Sequence, residues 1–292
     1  MESVNSLEKA KLEINGLLDG QGYVKVIKVS PETHPEGFTP EYLVAKAARA
    51  SYNSDSKTPI QDKRLIEFLL RNHHTSPLEM CSITFCIKLP IAICRQLLRH
   101  RTGKFNEFSQ RYSEVTEEVD RFRLDSTPMI LRGPNKTNKQ ASDFNLTQTQ
   151  IPNIVSQIQK AEKLQDDIFQ CYKSLIKAGM AKEIARFYLP VSTYTKIYVQ
   201  FDLNNLIKFL RLRCADDAQY EIRVYAEAMR NLAKQFFPIC LNLEDDYKEA
   251  TWLGKYEKMM IQTKSIPEEV TSKTHQKQLR DLAKELNILL TN

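Results

Sequence analysis

The chain is short of glycine: 8 in 292 residues, against 12 prolines. That is under half the ~7% of an average protein. A dinucleotide fingerprint needs three glycines within six positions, and a P-loop needs a Gly-Lys pair behind a flexible loop. Here only Gly20 and Gly22 sit close together, and no third follows. A nucleotide bound by this chain must be held by side chains, because a bare backbone cradle is missing. Cysteine pairs are missing too. The six cysteines (Cys81, Cys86, Cys94, Cys171, Cys214, Cys240) form no C-x-x-C, which argues against a structural zinc site and for no metal. They lie mostly among apolar residues, as reduced thiols of a cytoplasmic protein do. No apolar run approaches the ~18 residues of a membrane span, so no membrane role is expected. The start, MESVNSLEKAKLE, lacks the basic and apolar regions of a signal peptide.

What remains is an ordinary globular composition, 42% hydrophobic and 27% charged, with a mild net charge of +6. Residues 1–20 read as a short amphipathic helix. Alternation predicts strands at Tyr23–Val29, Cys81–Lys88 and 193–201. Helical spacing predicts helices at about 40–51, 61–72, 153–178, 182–188, 203–213 and 216–237. Another opens at Pro90 and runs through IAICRQLLRH. The polar stretch 133–152 reads as a surface excursion. The expected fold is α+β: one domain of mixed sheet and helices over residues 1–244, then a charged helical extension over 245–292.

The most unusual stretch is RQLLRHRTGKFNEFSQRY, Arg95 to Tyr112. Arg95 and Arg99, four apart, are expected on one helix face, with Leu97 and Leu98 toward a core. His100 and Arg101 crowd the same helix end, and Arg111 adds a further guanidinium. Four arginines, one histidine and one lysine fall within 17 positions, with Glu107 the only acid. Arginine's dominance over lysine favours bidentate capture of phosphate or carboxylate. The cluster grows from an apolar helix, and Asn106, Glu107, Ser109 and Tyr112 add polar partners. A ligand with phosphates and a polar ring would use both. Single-stranded nucleic acid would also use a basic cluster, but on an exposed surface interleaved with aromatics. The apolar flanks here favour a closed small-molecule site.

These residues resemble the signature of the flavin-dependent thymidylate synthases: Arg99-His100-Arg101, seven residues, then Ser109. Upstream, HHTSPLE (73–79) is similar to the family's His-x-x-Pro-x-Glu segment. Downstream, KEIARFYLP (182–190) and LRLRCADDAQYEI (210–222) are similar to its C-terminal elements. The resemblance spans about residues 20–240. It implies reductive C5-methylation of deoxyuridylate to thymidylate, with methylenetetrahydrofolate as carbon donor. FAD would be the hydride-carrying cofactor, NADPH its reductant, and the assembly a homotetramer with active sites shared between subunits.

The resemblance also implies roles. Ser76, Arg99, His100, Arg101 and Glu107 match flavin-contacting positions, and Asp202, Asn204 and Lys208 fall in the same set. Gln96, Arg99, Glu107, Ser109, Gln110, Arg111 and Arg186 match the deoxyuridylate-binding set. Arg213 matches the arginine at the pyrimidine edge, where a fixed cation favours the N3-deprotonated ring and makes C5 nucleophilic. His74 matches the histidine near the flavin and folate face. Simpler structural readings stand beside these. Ser76-Pro77-Leu78-Glu79 is also a capping box, His73-His74 an exposed pair, Ser109 a helix cap, and Arg213 a partner for Asp216 or Asp217. No nucleophilic cysteine is expected, since Cys94 lies on the apolar side of its helix. The chain departs from the family pattern at Met80, Lys104, Asp202, Lys208 and Asp217, mainly on the flavin side. Asp202 and Lys208 are expected to offset each other's charge. A homologue that has lost catalysis and a nucleic-acid-binding protein are the competing readings.

Overall fold

The computed structural model describes residues 12–32, 39–50, 58–115, 131–136, 138, 142–248 and 254–290. The chain divides into two compact units, Met1–Glu244 and Asp245–Asn292. The first is built on a five-stranded antiparallel sheet of order β1-β2-β3-β7-β4. Its strands are β1 (Glu13–Leu17), β2 (Gly22–Ser30), β3 (Ser82–Pro90), β7 (Tyr194–Asp202) and β4 (Lys104–Glu107). A two-residue pair, β5 (Gly133–Pro134) and β6 (Ser142–Asp143), lies in the polar excursion. The helices are α1 (Tyr42–Arg49), α2 (Pro59–Arg71), α3 (Ile91–Leu97), α4 (Ile151–Lys177), α5 (Lys182–Ala185), α6 (Leu203–Arg213), α7 (Tyr220–Ala233) and α8 (Pro238–Lys248).

The three predicted strands are present because apolar residues alternate along them. Val24, Val26, Ile83, Phe85, Ile87, Ile197, Val199 and Phe201 all point to one face, where they meet α6 and α7 in the main core. Tyr225 of α7 is packed so closely under the sheet that a Cβ on Gly22 would come within 2.2 Å of its hydroxyl. Gly22→Ala is therefore expected to destabilise the fold by about 1–3 kcal/mol, the usual cost of overpacking, read as a lowered thermal midpoint. An unchanged midpoint would show that the Tyr225 ring moves aside freely.

Several expectations are corrected. The N-terminal segment is not a helix where it is described, since Glu13–Leu17 pairs with β2. Gly16, at φ +75, accommodates the register shift between Asn15 and Leu17 that a helix would not need. Residues 1–11 of that expected helix lie outside the described residues. Pro90 ends β3 and is the N-cap of α3, one position before the helix. That helix stops at Leu97, so Arg95 and Arg99 do not share its face, and Leu98 is exposed. The expected helix 182–188 is α5 followed by a 3-10 turn, Arg186–Tyr188. The expected helix 216–237 begins only at Tyr220.

A small second core of Val115, Phe169, Tyr172 and Ala185 pins α5 and the segment after Ser109 to α4. The Tyr172 hydroxyl accepts from the Val115 backbone N–H at 3.1 Å. The second unit contains α9 (Lys255–Thr263) and α10 (Lys273–Glu285) around its own core of Met260, Val270, Leu279 and Ala283.

Candidate active site

Helix α6 organises the site. Its N-terminus is capped by Asp202, which accepts from the Asn205 backbone at 2.8 Å and from the Asn205 side chain at 2.7 Å. Asn204, buried in the first turn, donates to Glu79 at 3.0 Å. This ties α6 to the 3-10 turn Ser76–Met80. Glu79 is thus engaged with Asn204, and Ser76 makes no capping bond, so the capping-box reading is overturned. Lys208 is exposed, and the expected charge offset with Asp202 takes no form as an ion pair.

His74 sits where α2 ends. The backbone N–H of His73 donates to Leu70 and that of His74 to Leu69, with His73 at φ +56. This is a Schellman closure whose left-handed position is taken by histidine where glycine is usual. It turns the exposed His74 ring edge-on to Phe68, 5.9 Å between centroids.

The arginine cluster meets the other end of α6. Arg213 Nε donates to His100 Nε2 at 2.9 Å, and its Nη2 reaches the Gln96 carbonyl at 3.5 Å. Asp216 is ion-paired with Arg223, and Arg213 forms no ion pair with Asp216 or Asp217, so the reading of Arg213 as their partner is overturned. A guanidinium only donates, so His100 Nε2 must be the acceptor and the ring proton sits on Nδ1. The ring also stands edge-on to Phe209 at 4.8 Å, and Phe209 stacks on Phe201 at 5.3 Å. Burial, with the Arg213 charge adding to it, pulls the His100 pKa down from 6.5 to about 4.

That shift predicts a pH effect. Between pH 6.5 and 4 the unfolded chain binds a proton at His100 that the folded chain refuses, so stability rises with pH across this window and falls on acidification. Below about pH 4 the protonated ring can no longer accept from Arg213. Relative to His100→Gln, the wild type is expected to lose thermal midpoint between pH 6.5 and 4. Parallel curves for the two proteins would contradict this.

The remaining predicted residues lie on other segments, of which the Arg111–Glu183 pair joins two. Glu107, on edge strand β4, accepts from the Thr195 hydroxyl at 2.8 Å. Ser109 caps a turn and not a helix, its hydroxyl accepting from the Arg111 backbone at 3.3 Å. Arg111 is held on Glu183 of α5 by two bonds of 3.0 and 3.1 Å, which brings this turn beside the segment carrying half-buried Arg186. The Gln110 amide nitrogen is shut off from solvent with no partner among the described residues. Arg99 and Arg101 are exposed and have no ion-pair partner among the described residues. A site with a buried unused donor and uncompensated guanidiniums is arranged for an anionic ligand with acceptors. Lys104 is exposed on β4 and Asp217 lines a small cavity beside Arg223. Cys94 is buried in α3, and burial pushes its thiol up to about 12, so no thiolate is offered.

Sequence reasoning missed Gln219, Glu221 and Arg132. Gln96 donates to Gln219, Gln219 Nε2 donates to Glu221 at 2.8 Å, and Glu221 is ion-paired with Arg132. Nothing local in the sequence signals this chain of contacts.

A family model described as "Thymidylate synthase complementing protein" matches residues 36–239. A flavin-dependent thymidylate synthase of Wolbachia pipientis wMel is 39% identical over 204 residues, covering 70% of this chain and 69% of that protein. One from Dictyostelium discoideum is 34% identical over 272 residues, covering 93% and 86%. Among solved structures, the UMP/dUMP methylase PolB from Streptomyces cacaoi bound with 5-Br UMP is 30% identical. It aligns at a TM-score of 0.62 over 78% of this chain and 95% of its own. The family match takes in β3, β4, β7, α6 and the arginine cluster, and with these relatives it shows that this chain belongs to the flavin-dependent thymidylate synthase family.

Proposed function

We propose that the chain methylates deoxyuridylate at C5 to give thymidylate, with a folate as carbon donor and a reduced flavin as hydride source. The observation that carries this reading is the pinned Arg213 guanidinium, oriented by His100 and the Gln96 carbonyl. A cation fixed before substrate arrives costs no reorganisation when negative charge develops on a pyrimidine ring. Gln96, Arg99, Glu107, Ser109, Gln110, Arg111 and Arg186 would hold the nucleotide, with Arg111 sharing itself between Glu183 and the phosphate.

FAD fits the donor set in part. The uncompensated Arg99 and Arg101 suit its pyrophosphate, and Ser76 and His74 are exposed toward solvent. Asp202 and Asn204 are committed to Asn205 and Glu79, so they would act as supports, with Glu107, His100 and exposed Lys208 completing the set. When bound, the flavin supplies the hydride, methylenetetrahydrofolate the carbon, and NADPH restores the reduced flavin. The two ends of α6 bearing Asn204 and Arg213 lie about 14 Å apart at a helix's ~1.5 Å per residue. A site split over that distance suits an extended dinucleotide and completion by a second copy.

A homotetramer with shared sites is supported by exposed apolar residues beside the substrate loops. Phe108, Tyr112, Ile184, Phe187 and Val191 are all exposed on segments that the Arg111–Glu183 pair brings together. The six free cysteines suit a reducing cytoplasm. Tritium release from C5-labelled deoxyuridylate, in the presence of methylenetetrahydrofolate, FAD and NADPH, is the test. Release that requires all three is expected. No release under reducing conditions would reject the reading and favour a catalytically lost binder.

A further inference from the structure

The contacts behind Gln96 have a fixed direction. Arg132 can only donate and the Glu221 carboxylate can only accept. Their pair is nearly closed to solvent, with side chains 13% and 10% exposed. The Glu221 oxygen not facing Arg132 takes the Gln219 Nε2 at 2.8 Å. A carboxylate in this place admits only the amide nitrogen of Gln219, so the Gln219 oxygen must face away from it. That oxygen meets the Gln96 side chain, which therefore presents its own nitrogen. Gln96 Oε1 is left as the end of the series, with no partner among the described residues. A glutamine amide turns over easily when unsupported, offering a donor or an acceptor at nearly equal cost. Here that freedom is removed from a distance. The backbone of the same residue is held as well, through its carbonyl and Arg213.

We propose that Arg132, Glu221 and Gln219 are positioning residues that set the polarity of Gln96, so that it presents an acceptor to the bound nucleotide. The complementary ligand feature is a hydrogen-bond donor, which on deoxyuridylate with N3 deprotonated beside Arg213 is the 3′-hydroxyl. The proposal rests on the functional reading above, in which Gln96 lies in the deoxyuridylate site. It adds three residues to that site, and Arg132 comes from the polar segment preceding the β5–β6 pair, far from the signature in sequence.

Gln219→Met is the informative variant. Gln219 is exposed, and its loss leaves the buried Arg132–Glu221 pair intact, so the thermal midpoint is expected to hold. Deoxyuridylate binding to the flavin-loaded full chain, measured by calorimetry, is expected to weaken about tenfold, the worth of one well-formed hydrogen bond. KM should rise similarly while kcat stays within about twofold, because the bond forms on binding. In a Gln96→Met background, Gln219→Met should cost nothing further, since the relay has no end to act on. Binding of 2′,3′-dideoxyuridylate checks the donor, because this analogue lacks the 3′-hydroxyl and should not distinguish wild type from Gln219→Met. Wild-type protein that binds no deoxyuridylate would overturn the functional reading and the relay with it. Wild-type binding with an unaffected Gln219→Met variant, or an equal loss in the Gln96→Met background, would overturn the relay alone.

Discussion

Arg213→Ala is expected to lower the rate of deoxyuridylate methylation by about 10²–10³-fold, the loss seen when a preorganised electrostatic donor is removed. The Arg213 guanidinium is held in place by neutral groups. It is half-buried, and burial alone lowers its pKa from the ordinary arginine value, yet it makes no ion pair among the described residues. Its fixed partners, His100 Nε2 and the Gln96 carbonyl, are neutral. The positive charge is therefore oriented without being compensated, and its remaining N–H groups are available to a ligand. Arg213→Lys keeps a charge but loses the planar fork, so the ammonium cannot hold His100 and face a ring edge together. It should recover only a small part of the rate. Flavin absorbance of both variants should match wild type, which separates lost chemistry from lost cofactor. A variant Arg213→Ala that retains a third or more of the wild-type rate would remove Arg213 from the mechanism.

The sequence carried the sheet well, and for a physical reason. β2, β3 and β7 are the inner strands of the sheet and carry apolar residues at alternate positions along much of their length, so the expected bounds fall within a few residues of the real ones. β1 and β4 were illegible because they are edges. Glu13–Leu17 keeps a helix-like spacing of apolar residues, yet it pairs with β2 at the edge of the sheet. Lys104–Glu107 is four largely exposed residues with no face to declare. The same distinction divides the site. Arg99-His100-Arg101 and Ser109 could be found as a string, since they are local. The bond between Arg213 and His100 joins residues 113 apart, and that between Gln96 and Gln219 residues 123 apart. Such pairs are made by packing α3 and the turn after it against α6 and α7, which no spacing rule encodes. The misplacement of Arg99 on the face of Arg95 came from the same source. Helical periodicity in IAICRQLLRH continues past Leu97, but the chain leaves the helix there to bring His100 against Phe209.

The largest effect on stability is expected at Glu41, which belongs to no motif. Its side chain is wholly buried, and its two oxygens accept from the backbone N–H groups of Ile239 at 2.7 Å and Cys240 at 2.9 Å. These are first-turn donors of α8, which a helix cannot satisfy internally. Pro238, the first residue of α8, has no N–H to satisfy. A carboxylate nearly 200 residues away thus serves as the cap, the Glu41–Cys240 bond having a separation of 199. Burial pushes the Glu41 carboxyl above the ordinary carboxylate range, and the two N–H bonds pull it partly back. With a raised folded-state pKa, the group's contribution is greatest at low pH and declines as pH rises through that value. Glu41→Ala orphans two buried donors at about 1–3 kcal/mol each, so a loss of about 2–6 kcal/mol is expected. For a unit of this size that is a fall of roughly 4–24 °C in thermal midpoint. Glu41→Gln keeps one acceptor and turns a donor toward the other N–H, so it should lose a comparable part of the stability and also flatten the pH dependence. The measurement is a pair of thermal melts of the full chain across pH 4–8. A Glu41→Ala midpoint within about 2 °C of wild type at every pH would show that α8 is anchored by its apolar contacts through Cys240 and Leu241, and that the cap contributes little.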